Sequence, residues 1–335
     1  MQSTRRALAE TPLEWPRTLQ LAPMAVREWP EIPYPAWRET CTALHLFAQI
    51  VGKYRLARTP WLNHSWHATF YVDARGLTTA RVPDVSGDIE IRFDLIDHVV
   101  VGQSTNGRVE AFDLGPMSVA QFHGKFLDLI RALGGTPTFH GRPNETPNPV
   151  AFVADVASRP YDSDAVTRFF RALAAVARVL ERFRTAYIGK VSPVHLFWGS
   201  FDLAVTRFSG RRAPLHPGGI PSLPDAVTRE AYSHEVSSAG FWAGGSGIEY
   251  PAFYSYAYPV PPGFAEARLE PATAFFEKAL GEFLLPYDAV RLAEDPEMSL
   301  LSFLESAYAA AATLGRWDRS DLECKLGQPG WPREL

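Results

Sequence analysis

The sequence predicts an α+β fold built as two similar halves, each a mostly antiparallel sheet with flanking helices. Three observations carry this. Apolar stripes at three- and four-residue spacing alternate along the chain with runs of short segments whose period is two. Glycines and an Asn-Gly pair punctuate those short segments in the manner of hairpin turns. The stretch from His64 to Pro83 also echoes the stretch from His195 to Pro214 at a constant offset of 131, through His64 and His195, Phe70 and Phe201, Arg81 and Arg212, and Pro83 and Pro214. Such an echo points to an internal pseudo-twofold duplication; without it the symmetry would go and the fold class would stay.

Residues 1–35 are rich in proline, have no sustained period and read as an extended arm. The first half spans 36–140. It opens with a helix carrying Trp37, Cys41, Leu44, Phe47 and Val51 on one face, with a stop expected at Gly52-Lys53. Short strands follow over His64 to Asp73, Leu77 to Val82, Ile89 to Leu95, His98 to Gln103 and Arg108 to Leu114, separated by Gly76, Gly87 and Asn106-Gly107. Ser118 then caps a helix striped by Phe122, Phe126 and Leu129, which Gly134-Gly135 ends.

A connecting segment over 141–161 contains GRPNETPNP, a hinge-like composition. The second half, 162–315, starts with a helix opened by Asp162 and striped by Val166, Phe169, Leu173, Val176 and Leu180. Strands are expected at Val194 to Gly199, Phe201 to Phe208, Thr228 to Val236 and Phe253 to Val260. A helix opened by Pro271 would carry Phe275, Phe276, Leu280 and Phe283, and Asp295-Pro296 starts another that ends at Gly315. Residues 316–335 form a polar tail.

Composition narrows the function. The 335 residues, 46% hydrophobic and 21% charged, describe a folded chain with enough core for two lobes. A net charge of −4 with interspersed signs provides no basic field for nucleic acid or an anionic membrane. No apolar run is long enough to span a bilayer, and the N-terminus lacks the apolar core of a secretion signal. Cys41 and Cys324 lie far apart without ligand spacing, which suits a cytoplasmic location.

Candidate chemistry concentrates in the second half. His195 and Asp202 are seven residues apart, so a bend at Gly199 is needed to bring them to one face. His234 and Glu235 form a second histidine and carboxylate pair, although a histidine can equally be structural. Arg207 and Arg211 flank Ser209-Gly210 and could clamp an anion, or simply decorate a turn. Tyr254 and Tyr256 share a strand face with Tyr258; with Trp198 and Trp242 they would line a pocket, or lie on a wet sheet surface. No Walker, Rossmann, HExxH or paired CxxC spacing occurs, so no cofactor or metal is specified. A metal site would have to assemble from His64, His195, His234 and Glu235. The single HxT at His67 has no second copy, and no GxSxG elbow occurs, which argues against two-histidine phosphoesterase and serine hydrolase chemistry.

The words NHSWHATFYVDARGLTT, SPVHLFWGSFDLAVTRFSGRRAP, YSHEVSSAGFWAGG, FYSYAYP, EFLLPYDAVR and GRWDR resemble those of a bacterial family, the Domain of Unknown Function family numbered 5996. The resemblance runs from about Trp37 to Trp317 and implies one family-wide unit. It implies no activity, cofactor or catalytic residue.

Three functional classes remain open from sequence. The leading one is an enzyme acting on a small anionic metabolite, with His195 or His234 moving a proton, Glu235 or Asp202 orienting it, and Arg207 and Arg211 holding the anion. It requires His195, His234 and Arg207 to converge. The alternatives are a non-catalytic small-molecule-binding protein with an aromatic pocket, and an interaction scaffold with a flat aromatic patch. Oligomeric state is left open.

Overall fold

The computed structural model describes residues 29–333 apart from 147, 221, 222 and 246. Most of the expected N-terminal arm therefore lies outside the described residues. Its last part runs against the second half, where Trp29 packs on Tyr287 and the Tyr287 hydroxyl donates to the Pro30 carbonyl at 3.0 Å.

Helix α1 spans Tyr34–Arg58 and buries Trp37, Leu44, Phe47, Val51 and Tyr54. It continues through Gly52-Lys53, where a stop was expected. Gly52 serves packing instead, since a Cβ there would collide with the Trp198 indole. A 3-10 turn, Asn63–Ala68, follows, with His64 and Ser65 in the left-handed region at φ 59°. The expected strand from His64 is thus reduced to β1, Tyr71–Val72.

Strands β1, β2 (Gly76–Val82), β3 (Ile89–Asp94), β4 (Val99–Ser104) and β5 (Val109–Asp113) form an antiparallel meander in sequence order. Asn106-Gly107 makes the last turn, with Gly107 at φ 87°. The short strands β6 (Met117–Ser118) and β7 (Ser158–Arg159) pair with each other. Between them lies α2, Val119–Ala132, opened by a capping box between Ser118 and Gln121. Phe122 of α2 stacks on Phe47 of α1 with ring centroids 4.3 Å apart.

The second half begins with α3, Ser163–Arg184, whose Asp162 cap accepts from the Ala165 amide at 2.9 Å. Its sheet comprises β8 (His195–Phe197), β9 (Asp202–Arg212), β10 (His234–Trp242), β11 (Ala252–Tyr258), β12 (Phe275–Glu277) and β13 (Glu282–Pro286), in the spatial order β12-β13-β11-β10-β9-β8. Two expectations fail here. The strand expected from Thr228 to Val236 begins only at His234, its first residues lying in α4, Asp225–Ala231, and the helix expected after Pro271 is the hairpin of β12 and β13. Phe276 sits directly opposite Phe283, both contact Phe264, and Gly281 turns the chain at φ 74°. An aromatic spacing that mimics a helical stripe is thus a cross-strand cluster.

Short α5 (Tyr287–Arg291), long α6 (Pro296–Leu314) and α7 (Arg319–Leu322) complete the fold. Asp295 caps α6 by accepting from the Met298 amide at 3.0 Å. The architecture is α+β with antiparallel sheets.

Phe70 and Leu196 exchange backbone hydrogen bonds of 2.9 and 2.8 Å, stitching the first meander to β8. One continuous set of buried apolar residues runs from Ile32 to Trp317. Both halves read helix, antiparallel sheet, helix, but the second sheet is not a simple meander and the residues of the echo do not all share a local structure. His64 lies in a 3-10 turn while His195 opens a strand, whereas Arg81 and Arg212 both lie in strands.

Candidate functional site: an aromatic cavity with three carboxylates

Alternation along β9, β10 and β11 decides which side chains meet. Register pairs Asp202 with Trp242, Ala204 with Gly240 and Thr206 with Ser238 across β9 and β10, and pairs Gly240 with Tyr254 and Ser238 with Tyr256 across β10 and β11. Paired residues share a face. That face lines a cavity of about 630 Å³, flanked by the 3-10 turn, α4, the Asn144-Glu145 loop and the turn Trp198 to Ser200 and open to solvent on one side. Its size is that of a site for a metabolite or drug-sized molecule.

Aromatic rings are prominent in the wall, among them Trp66, Trp198, Trp242, Tyr232, Tyr254 and Tyr256. Tyr254 and Tyr256 stack with centroids 6.2 Å apart, and the Tyr232 and Tyr256 hydroxyls are 2.9 Å apart. Gly240 is needed here, because a Cβ on it would overlap the Tyr254 ring and the Leu203 carbonyl.

Three carboxylates share the cavity: Glu145, Asp202 and Glu282. Asp202 is 5% exposed and accepts hydrogen bonds from Ser200 and Tyr254. Burial raises its pKa, with those two bonds opposing. Glu145 is pushed up to about 7 by burial first and by Asp202 second, with Lys53 opposing. Glu282 is pushed up to about 8 by burial, again with Asp202 adding. Its Oε2 is buried without a hydrogen-bond partner among the described residues, as are Thr228 Oγ1 and Ser65 Oγ, from two other lining residues.

Several backbone contacts fix this end of the cavity. Gln49 of α1 exchanges hydrogen bonds with Asn144, donating to its carbonyl at 2.7 Å and accepting from its amide at 2.9 Å. Glu145 follows in the left-handed region at φ 54°, and its carboxylate passes over Gly199, where a Cβ would overlap it. His45 Nε2 sits 3.0 and 2.9 Å from the Trp198 and Gly199 carbonyls and so ties the turn to α1. Lys53 Nζ donates to Asn144 Oδ1 at 2.6 Å and lies 5.4 Å from the Trp198 ring centre; burial lowers its pKa to about 8.

The residues singled out from sequence divide sharply. Asp202, Trp198, Trp242, Tyr254 and Tyr256 all line the cavity. His195 and Asp202 do share a face, because a hairpin turn at 198–201 pairs Phe197 with Asp202 and His195 with Ala204. His195 nevertheless does not reach the cavity. It is fully buried, its Nδ1 lies 2.7 Å from the Pro193 carbonyl, and burial lowers its pKa to about 4.

Arg207 is a correction to the anion-clamp expectation. As an odd-numbered residue of β9 it points to the opposite side of the sheet, where it is fully buried among Phe183, Tyr187 and Tyr308. Its guanidinium donates to Glu305 at 3.3 Å and to the Phe183 carbonyl. Arg211 is likewise engaged within the protein, pairing with Glu235 at 2.7 Å and donating to the Gly315 and Arg316 carbonyls. Glu235 therefore serves Arg211 and Ser209 and does not orient His234. His234 lies 6.4 Å from the His64 ring, outside the cavity lining. The convergence of His195, His234 and Arg207 does not occur, and among the described residues no group of three or more histidines, cysteines and carboxylates could hold a metal ion.

Glu145, Glu282, Thr228 and Trp66 were missed. Glu145 sits in the proline-rich connector, and Glu282 was hidden by reading its hairpin as a helix. The apolar run Phe283 to Leu285, buried on both faces, offered no alternation to signal a strand there.

No helix among the described residues is long and apolar enough to cross a membrane. No curated protein and no solved structure matches the chain. A family model, described as a family of unknown function (DUF5996), matches residues 29–324. The chain belongs to that family.

Proposed function

We propose that this protein binds a small organic molecule in the cavity between the face of β9, β10 and β11 and the covering layer of the 3-10 turn and α4. The observation that carries the reading is a cavity of about 630 Å³ on which the rings of Trp66, Trp198, Trp242, Tyr232, Tyr254 and Tyr256 and the carboxylates Glu145, Asp202 and Glu282 converge. A concave space of this size, mostly apolar with a few polar groups, is the usual form of a small-molecule site. The aromatic-pocket alternative from sequence thus gains support over a flat interaction patch.

A second reading is supported by the carboxylic acids. Glu145 and Glu282, poised at about 7 and about 8 in one cavity, suit proton transfer near neutrality. An enzyme on this site would work through Glu145, Asp202 and Glu282 instead of through histidine and arginine.

Thermal-shift screening of metabolite-sized compounds against the wild type and a cavity-filling Ala204→Leu variant tests the proposal. Compounds that raise the wild-type midpoint should lose their effect in the variant. Equal effects on both proteins would reject the cavity as the binding site.

A further inference from the structure

We infer that the ligand of this cavity is an organic cation, a protonated amine or quaternary ammonium on an apolar body, held by aromatic faces and by the carboxylates Glu145, Asp202 and Glu282. This rests on the small-molecule reading above and names its ligand class.

Charge balance is the first argument. Three carboxylates line the cavity, and no arginine or lysine is among the described residues lining it. Lys53 stands behind Glu145 and offsets one charge, donating its nearest hydrogen bond to Asn144. Lys190 lies at the other end, 2.6 Å from His64 Nε2 and 5.4 Å from the Trp66 ring centre, away from the three carboxylates. Asp202 has two hydroxyl donors, from Ser200 and Tyr254, but no cationic partner among its contacts. Glu282 Oε2 is buried with no donor at all among the described residues. An anionic ligand would meet like charge here, and a neutral one would leave these acids either protonated or unpaired.

Wall chemistry is the second. Tryptophan and tyrosine faces attract cations most strongly when water is excluded. Trp66, Trp198, Trp242, Tyr232, Tyr254 and Tyr256 surround the space.

The sign of the proton linkage follows. A bound cation favours the ionised carboxylates, so it lowers their pKa values and expels protons. The groups that face the pair are Asp202, Lys53 and the Tyr232 phenol around Glu145, and Asp202 with the phenols of Tyr232, Tyr254 and Tyr256 around Glu282. Affinity for a permanent cation should therefore rise with pH through the range in which Glu145 and Glu282 titrate, about 7 to about 8.

Three probes of nearly equal shape test this on the full chain by tryptophan fluorescence: benzyltrimethylammonium, its uncharged carbon analogue neopentylbenzene, and 3-phenylpropanoate. The ammonium should bind about tenfold or more tightly than neopentylbenzene, and Glu282→Gln should weaken the ammonium alone by about tenfold. If Glu282→Gln loses its cooperative melt, Glu145→Gln makes the same comparison. Neopentylbenzene or 3-phenylpropanoate binding as tightly as the ammonium would overturn the cation assignment and leave the small-molecule reading standing. Binding of none of the three would overturn both.

Discussion

Tyr254 donates its phenol hydrogen to the buried carboxylate of Asp202, one strand removed across β10 on the cavity face. The bond links the aromatic wall to the acidic end of the cavity, since Tyr254 also stacks on Tyr256 and packs against Trp242. Burial raises the Tyr254 pKa, with Asp202 adding, so the phenol keeps its proton and remains a donor.

Tyr254→Phe should destabilise the fold by roughly 1–3 kcal/mol, the cost of leaving a buried acceptor short of a donor. Tyr256→Phe removes one member of a hydroxyl pair and should cost less, about 0.5–1.5 kcal/mol. Urea denaturation of both variants measures the difference. An equal cost for the two would contradict the special role of the Asp202 bond.

Gly199→Ala should place a methyl where the Glu145 carboxylate runs. Overpacking of this kind costs about 1–3 kcal/mol. Shortening the acid in Glu145→Ala should recover part of that loss, so a double-mutant cycle should show coupling of at least about 0.5 kcal/mol. Additive effects would mean that the two residues do not compete for space.

Glu282→Gln should stabilise the protein, and more so at alkaline pH. The folded-state pKa of Glu282, about 8, lies above its ordinary value of 4.5, so the native state holds the proton longer than the unfolded one. Stability from this group is therefore full at acid pH and falls as pH rises from the unfolded value through the folded one. The melting-temperature gain of the variant should be small near pH 4.5 and largest near pH 9, by melts at matched ionic strength. A gain independent of pH would remove the titration argument.

His195 should act in the opposite direction. Burial lowers its pKa to about 4 from 6.5, so its stabilising contribution is complete above the unfolded value and is lost as pH falls toward the folded one. Replacing it by Leu, which cannot be protonated, should raise the midpoint relative to the wild type at pH 5 more than at pH 8. The same relative midpoint at both values would show that His195 does not titrate in this window.

Arg207→Lys should lower stability by about 1–3 kcal/mol, because an ammonium cannot stack flat on Phe183 and Tyr308. Ligands that shift the wild-type midpoint should still shift that of the variant. Loss of binding in a folded Arg207→Lys protein would return Arg207 to the site.

Helix starts were legible because their signals are local. Ser118, Asp162 and Asp295 each accept from an amide three residues ahead, a contact within one turn. The Asn106-Gly107 hairpin was legible for the same reason. Gly52 and the Phe275 to Phe283 segment misled because glycine and aromatic spacing carry more than one meaning. Gly52 accommodates Trp198, which lies far along the chain, and Phe276 and Phe283 meet across a turn.

At the site, the shared face of Tyr254 and Tyr256 could be read from strand alternation, and so could the wrong face of Arg207. Asp202 and Arg207 differ by five positions, so a continuous strand must send them to opposite sides. Glu145 and Glu282 could not be read, since one comes from an irregular loop and the other from a strand edge, and their meeting with Asp202 is set by contacts distant in sequence.

The sequence by itself determined the α+β class, the helix caps and the aromatic strand faces, because each depends on backbone geometry over a few residues. Only the tertiary structure decided that histidine and arginine would be held within the fold while three carboxylates shared an aromatic cavity. Burial, and with it the cost of charge, is a property of the assembled space.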